Sequence, residues 1–437
     1  MKQNNSFYII WLGLLFEVII LSLLKSYTFI NESIIIVTVS LHIIFTTIVI
    51  INSKLKSKIV FISAFYIRLM LMFWDIYRNS VFKLPNSGSD SEVFYYYSLK
   101  VMDNLSLVWG DIFGGMYSKM NGVIFSFIGP QRMVGQYINV LLGLSIIIII
   151  YKILVLLEIS PHISRMVILV SAFFPNSLIL SAIFLREIII TFFVVCSLYF
   201  FILWFKKGKT VNIITSFLLI GLASTFHSGV IGVLVGYSFV LLFYKQERDA
   251  YKFTLNTIIV FVLIAILTSI IYTQFRGIFL EKFLTVEDIN DIYSTANTRL
   301  GGSAYLKGVE INNPLQLIIY GPIKTFYFLT APLPWDWRWI MDVITFFTDS
   351  ILYLVVIIIT IANFNRIKEH RTLIISLLLI LACVSLIFGI GVGNAGTAVR
   401  HRHKILPIFL IIFAIVINSI TEKTKKIQKE VKKDLSK

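Results

Sequence analysis

Charge is what this sequence has least of: Asp, Glu, Lys and Arg make up only 14% of its 437 residues. Soluble domains carry about 25%, so a soluble globular fold is excluded. Cysteine is almost missing, and Cys196 and Cys383 both fall within apolar runs, which excludes a disulfide framework. Only 9 prolines are present, so few helix breakers interrupt those runs. No zinc-ligand spacing, Walker sequence or nucleophile elbow occurs. The residues therefore name no cofactor, and a divalent metal is not indicated.

What is present is apolar, 57% of the chain, in runs about as long as the roughly 20 residues a helix needs to cross a hydrocarbon core. About twelve such runs can be counted: 7–24, 33–51, 59–77, 133–157, 166–183, 188–205, 211–226, 230–244, 253–273, 340–362, 373–391 and 405–420. Unbroken stretches such as Ile146 to Ile150 lack the alternation of a membrane β-barrel. The expected fold is an all-α, polytopic helical membrane protein. The first run is long for a signal-peptide core and has no small-residue cleavage site after it, so it reads as a retained span.

The net charge of +16 suggests nucleic acid until its distribution is followed. Lys54, Lys56 and Lys58, then Lys206, Lys207 and Lys209, then Lys245, Arg248 and Lys252, then Arg366, Lys368 and Arg371 fall in short loops on one side, with the lysine-rich tail. That is the positive-inside pattern, so these loops and the C-terminus are expected in the cytoplasm, and no nucleic-acid partner is expected. The organisation expected is one integral-membrane domain, 1–420, and a basic tail, 421–437, drawn to anionic lipid. Two long outer loops cover 78–132 and 274–339. Within the second, 314–330 contains Gly321-Pro322 and Lys324, and counting it as a span would reverse the side of the tail. It reads as re-entrant or interfacial, with Trp335, Trp337 and Trp339 at headgroup depth.

The candidate site residues gather on the outer side. Gly88 to Tyr97 is an acidic, aromatic segment. Its Ser89-x-x-Glu92 fits a capping box, and Asp90 at the first turn of a helix is a candidate general base. Arg186-Glu187 sits where two spans turn, and ionisable groups at such depth often mark function. His227 lies at a span end. Arg400-His401-Arg402-His403-Lys404 departs from the charge rule and reads as an outer turn whose arginine forks suit a phosphate. The preceding Gly391-Val392-Gly393-Asn394-Ala395-Gly396 matches G-x-G-x-x-G without a strand before it, so the dinucleotide reading fails, and a phosphate-binding nest is the alternative. Arg68 and Asp75, two helical turns apart, are expected to pair. Glu17, His42, Asp342 and Asp349 read as satisfied bundle residues.

Several of these features together resemble the GT-C superfamily of membrane glycosyltransferases, the protein-mannosyltransferase-like and aminoarabinose-transferase-like enzymes. They are the acidic loop Gly88 to Tyr97, the glycine-containing stretch Gly114 to Gly129, Gln136 and Asn139 opening a span, and Phe174-Pro175-Asn176-Ser177 leading to Arg186-Glu187; Arg400-x-Arg402 before the last span stands apart from these. The resemblance covers about Asp75 to Ile420, and two more spans precede the acidic loop than is usual there. It implies a polyprenyl phosphate or diphosphate sugar as substrate, with Asp90 and Glu187 catalytic. Glu92, Arg186, His227, Arg400, Arg402 and Lys404 would bind substrate or phosphate. Length and span count look equally like the O-antigen or capsule repeat-unit polymerases, and a lipid-oligosaccharide flippase is the non-enzymatic alternative. The expected setting is a bacterial plasma membrane, with membrane lipid and other polysaccharide-assembly proteins as partners.

Overall fold

A backbone in lipid must satisfy its own N–H and C=O groups, and a helix does so within one segment. The computed structural model describes residues 6–25, 30–252, 254–255, 259, 296–297 and 301–435. Its helices are α1 (Ser6–Lys25), α2 (Glu32–Asn52), α3 (Lys58–Tyr77), α4 (Asp90–Asp103), α5 (Gly115–Ile128), α6 (Arg132–Leu156), α7 (Pro161–Phe173), α8 (Pro175–Ala182), α9 (Glu187–Lys207), α10 (Thr210–Phe226) and α11 (Ile231–Phe243). A short antiparallel hairpin, Tyr244–Lys245 with Ala250–Tyr251, follows. Then come α12 (Pro314–Thr330), α13 (Ile340–Thr345), α14 (Ile351–Asn363), α15 (Arg371–Gly391), α16 (Ala395–Arg402) and α17 (Leu406–Leu435).

Among the described residues, eight helical stretches are long and apolar enough to cross a membrane, or nine if the bent pair α7 and α8 forms one span. The expected spans at 211–226 and 230–244 correspond to shorter apolar helices. The expected span 253–273 and the first part of the second long loop lie almost wholly outside the described residues.

The chain is built inside out relative to a soluble protein. Leu12, Leu15, Phe16 and Leu23 of α1 and Leu315, Ile318 and Ile319 of α12 are exposed, while Arg68, Asp75, Glu187, Lys324 and Arg402 are buried. Apolar side chains outward and charges inward is the arrangement lipid imposes. The fold is that of a helical membrane protein.

The run 166–183 is not one straight helix. It stops at Phe173 and restarts at Pro175 with a bend of 47°, because proline brings no N–H to the ladder and its ring clashes with the preceding turn. Arg68 pins this break, donating to the carbonyls of Ala172 (2.9 Å) and Ala64 (3.0 Å) and to Ser177 Oγ (3.3 Å). The expected Arg68–Asp75 pair does not form. Seven residues of helix separate the two by about 10 Å along the axis, and the same face does not mean within reach. Arg68→Met is expected to lower the melting temperature of the detergent-purified protein, because it strands buried acceptors at about 1–3 kcal/mol each. An unchanged melting curve would remove Arg68 from that role.

Packing divides the chain into two compact units, Met1–Tyr151 with Ile168–Phe192, and Lys152–Val167 with Phe193–Lys437. In the second, α11 lies directly on α15 at Gly232 and Gly236, where an added Cβ would stand 2.5 and 2.6 Å from the Cα atoms of Val384 and Ile380. This is the small-xxx-small device by which helices approach closely in lipid.

Candidate functional site

In the first unit the polar residues converge where α3, α6 and α9 meet the loop helices α4 and α5. Asp75, near the end of α3, has a buried carboxylate that accepts from Ser87 Oγ (2.5 Å) and Gln136 Nε2 (2.7 Å). Arg132, opening α6, lies 3.8 Å from it and grips both oxygens of Glu92 at 2.7 and 2.8 Å. Arg132 thus joins a buried carboxylate to a half-exposed one. Glu92, expected to touch substrate, is held in this bridge instead of reaching back to the helix start. The capping box is not formed, because Ser89 makes no side-chain cap and its carbonyl receives the Glu92 N–H. Helix α4 nevertheless begins at Asp90, which is half-buried.

Between α8 and α9 the chain runs without helix from Ile183 to Arg186, and its carbonyls are met by amides of α6. Gln136 Nε2 donates to Ala182 O, and Asn139 Nδ2 to Ile183 O and Leu185 O, all at 2.9 Å. Irregular backbone in a membrane protein survives only with such support. The support seats Glu187, fully buried, as the first residue of α9, where the helix dipole favours a carboxylate.

Aromatic rings fasten α4 to this turn. Phe94 and Phe184 both pack edge-on against Tyr117, Tyr95 packs on Phe184, and the Arg186 guanidinium lies 5.4 Å from the Phe94 ring. The acidic segment and the Arg186-Glu187 turn, 96 residues apart from Asp90 to Arg186, are therefore neighbours. Asn139 also donates to Tyr117 Oη at 3.0 Å. Burial raises the Tyr117 pKa, and Glu187 adds to the rise while Asn139, Asn121 and Arg132 oppose it, so Tyr117 stands within the field of both charges. The amide oxygens of Asn121, Gln136 and Asn139 are buried, without a hydrogen-bond partner among the described residues. An acceptor-rich interior of this kind is suited to hydroxyl donors.

In the second unit the basic residues 400–404 are helical, not an outer turn. Arg400 and Arg402 are two residues apart in α16, and positions so spaced point to different faces of a helix. Arg400 is half-buried, whereas Arg402 is wholly buried. The Arg402 guanidinium pairs with Asp349 and donates to Ala331 O (2.6 Å), Phe328 O (3.4 Å) and Ser350 Oγ (2.8 Å). Its five N–H groups are taken, so the expected phosphate contact is withdrawn for Arg402, which is an internal brace. Asp349 and Ser350 come from a π turn, Phe346–Ser350, between α13 and α14.

The expected glycine nest is also filled from within. Ala395 N donates to Ser303 O (3.0 Å), Gly396 N to Ser303 Oγ (3.4 Å) and Thr397 N to Asn394 Oδ1 (2.8 Å). The cationic group that remains is His227, His401 and Lys404 around Phe388. The imidazoles stand 4.5 Å apart, each 5.4 Å from the Phe388 ring, and Lys404 Nζ donates to His401 Nδ1 at 2.6 Å. His227 Nδ1 accepts from Gly229 N (3.1 Å). With Nδ1 an acceptor in both rings, each neutral imidazole carries its proton on Nε2, leaving a donor-rich cluster.

Among the described residues no group of His, Cys, Asp and Glu is placed to hold a metal. His42 is satisfied inside the bundle by Tyr137 (2.7 Å) and Ile10 O (3.1 Å). Sequence reasoning set Asp75 aside as structural and passed over Arg132 as the end of a loop. The signal available was the amide pair Gln136 and Asn139 one turn along the same helix. Fold and site together define a helical membrane protein with an acidic, amide-lined centre in one unit and a donor-rich cluster in the other. No protein-family model, curated protein or solved structure matches the chain.

Proposed function

We propose that this protein is a membrane glycosyltransferase of bacterial surface-polysaccharide assembly. It takes a sugar or oligosaccharide from a polyprenyl phosphate or diphosphate carrier at the outer face of the plasma membrane. One observation carries the reading: the helix opened by Asp90 packs through aromatic rings on the turn that precedes the fully buried Glu187, in the unit where the amide oxygens of Asn121, Gln136 and Asn139 are buried without a partner among the described residues. An interior lined with acceptors next to carboxylates fits sugar hydroxyls being bound and deprotonated.

Asp90, near the surface of that centre, takes the proton of the acceptor hydroxyl. Glu187 orients the same hydroxyl or shields the charge that develops at the anomeric carbon. Within the second unit, His227, His401, Lys404 and Arg400 are of the chemistry that binds a phosphate group. The activated lipid provides the driving force, so the reaction calls for no nucleotide site.

Asp90→Asn is expected to reduce polymer made by a complemented deletion strain about 100-fold or more, and wild-type polymer would end Asp90's assignment. The size ladder of lipid-linked products in the deletion strain tests the reaction. A truncated repeat supports transfer of a single sugar, and an accumulated complete single repeat points to a polymerase. Purified protein that moves labelled lipid-linked sugar between leaflets without forming a bond refutes the enzyme.

A further inference from the structure

The segment Leu333 to Ile340 carries Trp335, Trp337 and Trp339 with Asp336 and Arg338 between them, all outside the centres described above. In the second unit, Tyr305, Lys307, Trp335, Asp336, Trp337 and Arg338 line a pocket of about 290 Å³, close to the small end of ligand sites at roughly 300 Å³. Its walls are fixed by their own polar atoms. Trp335 Nε1 donates to Tyr327 Oη (3.2 Å), Trp337 Nε1 to Pro332 O (3.3 Å) and Tyr305 Oη to Val392 O (3.0 Å). Tyr305 is stacked on Tyr327 with centroids 5.0 Å apart. The floor at Ala331 and Pro332 is held by Arg402, and the strand-like Ser303 to Tyr305 edge is bonded to Gly393 and Ala395.

The polar group in this aromatic frame is Asp336. Its Oδ2 is buried and has no hydrogen-bond partner among the described residues. Burial raises its carboxyl above the usual range, with a backbone hydrogen bond at Leu333 and then nearby Arg338 opposing. The Arg338 charge is directed to Asp342, from Nε at 3.3 Å and from its backbone N–H at 3.0 Å. The pocket therefore combines indole faces with one acceptor wanting a donor. Stranding such an acceptor is costly, and a ligand hydroxyl recovers that loss.

We infer that this pocket binds the ring of a neutral sugar, its C–H face against Trp335 and Trp337 and a ring hydroxyl donating to Asp336. The inference deepens the transferase reading by naming a class of sugar that the chain binds, and it rests on that reading only for the subsite's role. The binding itself stands apart from catalysis.

The test uses the full chain in detergent, titrated with the methyl glycosides of glucose, galactose, rhamnose and N-acetylglucosamine while tryptophan fluorescence is read. A saturable change with at least one glycoside is expected, weakened at least tenfold in Asp336→Asn. Saturation-transfer NMR on the unaltered protein should show aromatic-proton contact with the same glycoside, so the idea does not depend on a variant that folds. No saturable response, an equal response in Asp336→Asn, or a response only to glucuronate or inorganic phosphate would overturn it. A response only on transfer into anionic phospholipid vesicles would overturn it too, making the tryptophans a membrane anchor. Sugar binding by protein that moves lipid-linked sugar between leaflets without forming a bond would retire the transferase reading and leave the subsite; bond formation without sugar binding would retire the subsite alone.

Discussion

Glu187→Gln is expected to cut polymer synthesis about 10²- to 10⁴-fold, the usual contribution of a positioned acid or base, while the protein still folds. Glutamine keeps the size of the side chain and can accept hydrogen bonds where Glu187 does, but it carries no charge at the head of α9. The loss should appear in the rate of product formation by purified protein supplied with lipid-linked sugar from the deletion strain. Elution of the variant on size exclusion should match wild type. Wild-type turnover would show that the buried carboxylate serves packing alone, and aggregation would show that α9 needs its charge to fold. The second outcome is separable by Glu187→Asp, which retains charge and shortens reach. A folded, inactive Glu187→Asp would keep the requirement on geometry.

Removing Arg402 should act in the opposite way, on stability before chemistry. Arg402→Met leaves Asp349 as a buried, uncompensated charge, and breaking such a pair costs about 3–5 kcal/mol. The Ser350 hydroxyl loses the Arg402 donor as well, and the Ala331 carbonyl is left with Ser350 Oγ (3.0 Å). The double variant Arg402→Met with Asp349→Leu should recover most of the loss, since an apolar replacement of both partners is often close to neutral. Thermal unfolding in detergent, free of substrate, measures this directly. A single variant as stable as wild type, yet unable to bind lipid phosphate, would restore the phosphate contact and remove the brace.

How far the site could be read in advance differs by residue. Asp90 and Glu187 stood out because carboxylates are rare in an apolar chain; Asp90 was expected at a helix start and Glu187 in the turn between two spans, and they open α4 and α9. Their nearness could not be read, because it rests on Phe94, Tyr117 and Phe184 meeting across separate helices, and aromatic residues are too common here to mark a contact. The Arg400-x-Arg402 reading failed for a definite reason. Two basic residues in an assumed turn look like one clamp, but once the segment is helical they face different ways, and only one remains near the surface. Arg68 and Asp75 failed by distance, since shared facing over two turns does not bring side chains into contact.

The sequence by itself determined the solvent and the class of structure. Scarce charge and runs of about 20 apolar residues admit only helices across lipid, because hydrocarbon offers the backbone no other partner. It also marked which positions were unusual, for a charge in such a run is costly wherever it ends up. Only the tertiary structure decided which of those charges are braces and which form a centre. Arg68 stitches a proline break, Arg402 and Asp349 neutralise each other, and Glu187 is buried at the head of α9 close enough to Tyr117 to shift its titration. The physical reason is that burial and pairing are properties of what lies across the bundle, contributed by residues far away in the chain, while periodicity reports only the face of a single helix.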